Sequence, residues 1–337
     1  MDNTFSETTF TWKADFMESS MTHNTGYASF VNTLYSNHPL ETYDSSIDVT
    51  NRRTTIYGFP MLVFHKRYAP DADGNPVYEF VGRYNFNLDK GCNNVIGFKD
   101  NHEHPYVKGT YVNGDNETVP IDYEYVAECW ELKNNQGNRT SFTYTNFDDV
   151  DSNGQLTIHG DFEYRYSYFD DPIDHAIKGT DEFASSSQEA RNAFLLDKFK
   201  NLETVAEWLK STDTTPVISQ AEHDDPENPA VAEELPAAVT YGSGELQVTY
   251  THDTKEYRLA KFANEFLLHF DMHYCAVYFI MTEMILAYDS RGKNMMLGSW
   301  GPRDWKRGPD NEPLLDDQGN KIPGDYIWFP IFYDIDT

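Results

Sequence analysis

Residues 266–288 read FLLHFDMHYCAVYFIMTEMILAY, the most apolar segment of the chain. His269, Asp271, His273 and Glu283 interrupt it, so no uncharged run reaches the roughly 18 residues that a membrane-spanning helix needs. The segment therefore reads as a buried core helix, and the chain as one without a membrane span. A helical half of the fold is built around it.

Working outward towards the N-terminus, TYGSGELQVTY within 239–251 reads as a hairpin, and helices fill 255–288. Residues 212–238 are acidic and rich in proline, which predicts an exposed loop. Before it, SSQEARNAFLLDKFKNLETVAEWLKS (186–211) sets Ala190, Phe194, Leu195, Phe199, Leu202, Val205 and Leu209 at helical spacing behind a serine cap, the signature of an amphipathic helix. From about 53 to 170 the text changes to strands separated by turn residues, among them TTIYGFPMLVFHKRY, VYEFVGRYNFNL and YEYVAECWEL. Residues 1–50 are polar, rich in Ser, Thr and Asn, and read as an arm ordered by its neighbours. On the other side of the apolar segment, a last hairpin is expected between about 295 and 336. The predicted class is α+β: an antiparallel β-rich lobe (51–180), a helix (181–211), the acidic loop (212–238) and a helical lobe with a terminal hairpin (239–337).

Composition excludes some functions. With 26 basic and 55 acidic residues the formal charge is -29, and a clamp on a phosphate backbone needs clustered Lys and Arg instead. Direct nucleic-acid binding is not expected; partners should be proteins or cations. Cys92, Cys129 and Cys275 form no CxxC pair, which fits a reducing compartment. The start, MDNTFSETTFTWKADF, has no basic n-region followed by an apolar run, so no secretory signal is read there.

Several tempting sites have simpler readings. Asp149-Val150-Asp151-Ser152-Asn153-Gly154 opens like an EF-hand loop, but position twelve is Gly160 where a bidentate Glu is required. Like Asp71-Ala72-Asp73-Gly74-Asn75 and Asp316-Asp317-Gln318-Gly319-Asn320, it reads as a hairpin turn with glycine at positive φ. His269 with His273, and the three donors of His102-Glu103-His104, show neither the HExxH pattern nor a clear third zinc ligand. The abundance of Tyr and Phe suits sheet faces and interfaces, with a carbohydrate- or receptor-binding surface as a further reading.

One ordered set of motifs carries chemistry. Gly58 and Pro60, Gly82 and Tyr84, Asp271 and Tyr278, Asp289 and Asn294, and Pro330 with Asp334 and Asp336 occur in an order that resembles the CotH family of atypical kinases. That resemblance implies a kinase-like fold in which Asp289 orients the acceptor hydroxyl, while Asn294, Asp334 and Asp336 hold Mg2+ on ATP; Lys66 or Lys90 would grip phosphate. The chain departs from the pattern in having no glycine-rich phosphate loop.

The Asn- and Tyr-rich text, with DSRGKNMM and FPIFYDIDT, also resembles the muzzle-type tail-tip virion proteins of crAss-like short-tailed bacteriophages. This implies a structural role in the virion tail, in contact with other tail proteins and with copies of itself, for a protein made in the host cytoplasm and needing no cofactor. An acidic surface suits a tip through which DNA passes, because it repels the phosphate backbone. Together the two resemblances predict a virion structural protein on a kinase-like scaffold, with a CotH-like kinase using ATP and Mg2+ as the alternative. The apolar strand IWFPIFYDIDT at the end further predicts that this is the N-terminal piece of a longer product, cut after Thr337, with the C-terminal piece packed against the helices of 255–288.

Overall fold

The computed structural model of the chain describes residues 10–13, 23–36, 55, 58–88, 110–112, 118–120, 128–133, 135–136, 139–165, 167–180, 183–227, 229–287, 290, 295–302, 305–308 and 312–332. Its architecture is mixed α and β with antiparallel sheets.

Strand β1 (Phe10–Lys13), helix α1 (His23–Ser36) and strands β2 (Gly58–Lys66) and β3 (Tyr78–Leu88) come first, and the strands form a sheet in the order β1-β3-β2. Residues 1–50, polar by composition, thus add a strand opposite Asn85–Leu88 and place Val31 of α1 in the core. β2 and β3 form a long hairpin. Val63 pairs with Gly82 but Phe64 with Phe80, so Val81 is the extra residue of a bulge.

Two short antiparallel pairs follow, β4 (Thr110–Val112) with β5 (Thr118–Pro120), and β7 (Asn135–Gln136) with β8 (Arg139–Thr140). Between them runs β6 (Glu128–Leu132), which sits inside a second sheet with β9 (Phe162–Tyr164), β12 (Met295–Pro302) and β13 (Tyr326–Ile331), in the order β13-β12-β6-β9. All five residues of β6 are buried. Short helix α2 (Ser141–Tyr144) and helices α3 (Ser167–Lys178) and α4 (Gln188–Thr212) complete this half. α4 starts where the sequence places it. Ser187 caps it by accepting from Ala190 N at 3.1 Å, and Leu195, Phe199, Leu202, Val205 and Ala206 form its buried stripe. Phe199 meets Trp130 of β6 with ring centroids 4.5 Å apart, which fixes the helix against the sheet.

The acidic segment after α4 is exposed for most of its length, yet it is tied down. Ser219 and Glu222 form a capping box on α5 (Gln220–His223), and Lys255 N donates to Ile218 O at 2.9 Å. The segment then runs into the expected hairpin, β10 (Glu234–Tyr241) with β11 (Val248–His252), whose turn uses Gly242 at φ 85°.

The apolar stretch 266–288 is not one continuous helix: it holds a 3-10 turn and a single α-helix. α6 (Lys255–Glu265) passes through a 3-10 turn at Phe266–Leu268, and then the backbone pairs with the edge of β13: Asp271 N donates to Trp328 O at 2.9 Å, and Trp328 N to His269 O at 2.8 Å. Asp271 then caps α7 (Met272–Met284) by accepting from Tyr274 N at 3.1 Å. An N-cap residue inside an apolar run ends one helix and starts the next. Burial is also one-sided. Tyr274, Tyr278, Met281 and Ile285 face the core, while Met272, Phe279, Ile280 and Met284 are exposed, which corrects the expectation of a fully buried helix. Among the described residues no helix is long and apolar enough to cross a membrane.

The three Asp-x-x-Gly turns adopt one geometry. Asp316 Oδ1 accepts from Gln318 N at 2.9 Å and Asn320 N at 2.8 Å, and Asp71 and Asp151 make the equivalent pairs; Gly74, Gly154 and Gly319 have φ of 83°, 77° and 83°. These bonds hold the three carboxyls below their ordinary range. Because the folded value is depressed, their contribution is present above the ordinary carboxyl range near pH 4 and is lost as pH falls through the folded value. Gly319→Ala is expected to cost about 1 kcal/mol, since an L-residue is strained at positive φ. The shift in urea midpoint measures it, and an unchanged midpoint would refute the assignment.

Candidate functional site

Of the residues that the kinase-like motifs single out, Asp289, Asn294, Asp334, Asp336 and Lys90 lie outside the described residues. Their described flanks converge. Met296, just after the first pair, is the direct antiparallel partner of Ile331, just before the second. Tyr278 of α7 fastens the same corner: its hydroxyl donates to Ser290 O and its ring meets Phe332 edge-on at 5.6 Å. Thr55 bridges Phe332 from the other side. The chain leading from α7 into β12 bends through Leu286, a non-glycine residue at φ 59°.

Lys66 is not brought to this corner. It is exposed near the far end of the β2–β3 hairpin opposite Tyr78, eight residues beyond Gly58, or about 26 Å of extended strand. Other motif residues have local structural duties. A Cβ on Gly58 would collide with the Asn87 side chain and lie 2.8 Å from Phe86 O, so close strand approach explains the glycine. Asp271 is a helix cap, and Pro330 faces Leu297 inside the sheet.

The histidine pair separates at the helix break. His269 precedes the cap of α7 and is buried with its ring 4.3 Å from that of Trp208, whereas His273 is exposed on α7. Burial lowers the His269 pKa, favouring the neutral ring. Trp208 Nε1 donates to Glu265 Oε2 at 2.9 Å, and the Tyr241 hydroxyl donates to the other oxygen of that carboxylate. Among the described residues no three His, Cys, Asp or Glu are grouped to hold a metal ion. His102 and His104 lie outside them.

The charged groups that sequence reasoning missed are in β6. Glu128 and Glu131 occupy a strand buried throughout, and each is satisfied by a partner distant in sequence. Glu128 accepts from Trp130 Nε1 at 2.9 Å and from Asn201 Nδ2 at 2.6 Å. Burial nevertheless pushes its carboxyl up to about 7, against the opposing effect of those two bonds. With a folded value above the ordinary 4.5, its contribution to stability is complete below pH 4.5 and is lost as pH rises through about 7. The loss is about 3 kcal/mol over this window. Glu128→Gln, which keeps both contacts if the Asn201 amide turns over, is expected to flatten the dependence. Urea unfolding of both proteins at about pH 5 and about pH 8 measures it; an equal pH response in the two would refute the role.

Besides the outer side of α7, two apolar features among the described residues are open to solvent. One is the distal half of the β2–β3 hairpin, where Leu62, Phe64, Tyr78 and Phe80 are all more than half exposed. The unbroken run Met61-Leu62-Val63-Phe64 was the available signal, because a strand with one wet face should alternate. The other is a groove of about 490 Å³ between α6, the end of α4 and the sheet.

These elements define a mixed α and β protein with antiparallel sheets, whose buried glutamates find partners inside the fold and which exposes apolar surface as well as charge. Comparison with family models, with curated proteins and with solved structures gives no match.

Proposed function

We propose that the chain is a structural protein of a bacteriophage tail, placed near its distal end, where it closes or lines the DNA channel and contacts neighbouring tail proteins and further copies of itself. The observation that carries this reading is the exposed apolar hairpin, whose Phe64 and Phe80 are 52% and 61% exposed. Contiguous apolar surface of this kind on a highly charged chain marks a contact face. The outer side of α7, with Met272, Phe279, Ile280 and Met284, is a second such surface. The formal charge of -29 suits a wall past which DNA slides. On this reading Asp289, Asn294, Asp334 and Asp336 are scaffold residues and the protein needs no cofactor. Mass spectrometry of purified virions is the test: the chain should be present in stoichiometric amount relative to other tail proteins, and its absence would overturn the proposal.

A CotH-like kinase is the second reading, favoured by the pairing of Met296 with Ile331, which draws the flanks of the two motif groups to one end of the sheet. Asp289 would then face the acceptor hydroxyl, with Asn294, Asp334 and Asp336 on Mg2+ and ATP. Transfer of labelled phosphate that disappears in Asp289→Ala and Asp334→Ala would establish this reading over the structural one.

A further inference from the structure

We propose that copies of this chain associate head to tail, the distal β2–β3 hairpin of one copy seating in the groove beside α6 of the next. The inference rests on the reading of the chain as an assembly component and names the contact that builds the assembly.

The hairpin supplies the convex half. Burial falls along β2 from Gly58, which is buried, to Lys66, which is exposed. Phe64 stands directly opposite Phe80, with ring centroids 5.5 Å apart, and Lys66 stands opposite Tyr78. Directly opposed residues share a face, and so do residues two apart, so Leu62, Phe64, Phe80 and Tyr78 form one apolar stripe, with Arg83 opposite Leu62 at its inner end and the Lys66 ammonium at its tip. Arg67 is paired with Glu79, whereas Lys66 has no ion-pair partner among the described residues.

The groove supplies the concave half. Leu209, Leu259, Phe262 and Phe270 are among its walls, and Asp213 is its one charged lining residue among those described. Two of its threonines turn their hydroxyls to the backbone: Thr143 donates to Thr140 O at 3.1 Å and Thr212 to Leu209 O at 2.9 Å. The walls therefore offer an apolar surface beside a single acid. Its volume lies within the roughly 300–1,000 Å³ typical of ligand sites. An apolar stripe tipped by a cation complements it in both respects.

Charge identifies the occupant as a second copy. The chain carries -29, so two bodies repel, but residues 58–88 hold Lys66, Arg67 and Arg83 against Asp71, Asp73 and Glu79, three of each sign. The neutral hairpin is thus a part of the molecule that can approach an acidic copy without this penalty. Hairpin-to-hairpin pairing would leave the groove and its acid unfilled, and two grooves cannot fill each other. The contact is therefore heterologous, and it either closes a ring or extends a chain.

The test is complementation in solution with the full chain. Phe64→Ser disables the hairpin and Leu259→Asp disables the groove; both positions are exposed, so the thermal melt should match that of the unchanged chain. Sedimentation should show oligomers for the unchanged chain, association weakened about tenfold or more for each variant alone, and a 1:1 dimer when the two variants are mixed. Hydrogen exchange of the unchanged chain offers a readout without substitution: amides at 62–66 and 259–262 should slow together as concentration rises. A monomeric unchanged chain, oligomers indifferent to both variants, or no dimer in the mixture would overturn the inference. Finding the chain in virions with any of these results would leave the tail assignment standing and remove only this contact.

Discussion

Trp130→Ala is expected to lower the stability of the chain by about 4–5 kcal/mol, near the top of the range for large-to-small core changes. Trp130 is 0% exposed at the middle of β6, with the ring of Tyr164 4.6 Å away edge-on and that of Phe199 4.5 Å away on α4. Neither neighbour can collapse into the vacated space easily, because Tyr164 is held in β9 opposite Trp130 and Phe199 lies in the buried stripe of a long helix. The substitution also removes the indole N–H from Glu128, leaving Asn201 as the remaining partner of a buried carboxyl. Trp130→Phe separates the two effects, since it restores most of the volume but no donor, and should cost about 2 kcal/mol. Urea unfolding gives both values. A loss of under about 1 kcal/mol for the alanine variant would mean that β6 is not the centre of the core.

Local chemistry explains what could be read in advance. The cap at Ser187, the spacing from Leu195 to Val205, the three Asp-x-x-Gly turns and the pairing of β12 with β13 each depend on residues within one element or one hairpin. The break at Asp271 was hidden because its cause is the edge of β13, more than fifty residues later in the chain, which takes the backbone bonds of His269 and Asp271. The full burial of the strand Glu128–Leu132 was hidden for a similar reason. Its two glutamates suggest a wet face, yet their partners Asn201 and Arg165 stand 73 and 34 residues away, and only the assembled sheet brings them close. Composition likewise concealed the strand Phe10–Lys13 and the core position of Val31 within a polar stretch. For the motif residues, sequence order named Gly58 and Asp271 as notable, and packing supplies their reasons: a close strand approach and a helix cap.

Arg165→Ala is expected to cost about 3–5 kcal/mol, because it removes the guanidinium that faces a buried carboxylate. Glu131 and Glu163 are direct partners across the β6–β9 ladder, an arrangement of like charges that is unfavourable by itself. Arg165 reconciles them. Its Nε donates to Glu131 Oε2 at 2.5 Å, and its terminal nitrogens pair with both carboxylates. The Glu131 side chain is only 5% exposed and that of Arg165 15%, so water cannot replace the lost partner. Lys133 also lies 3.2 Å from Glu163 in the unchanged chain, so the loss should fall mainly on Glu131. Arg165→Lys should recover little, since one ammonium cannot reproduce a planar fork that serves two carboxylates. Replacing both charges, as in Glu131→Leu with Arg165→Met, should restore most of the stability, because removing a buried pair costs far less than breaking it. Denaturant midpoints of the two single variants and the double variant decide the matter: a double variant no more stable than Arg165→Ala would show that the arginine acts through packing of its stem and not through the glutamates.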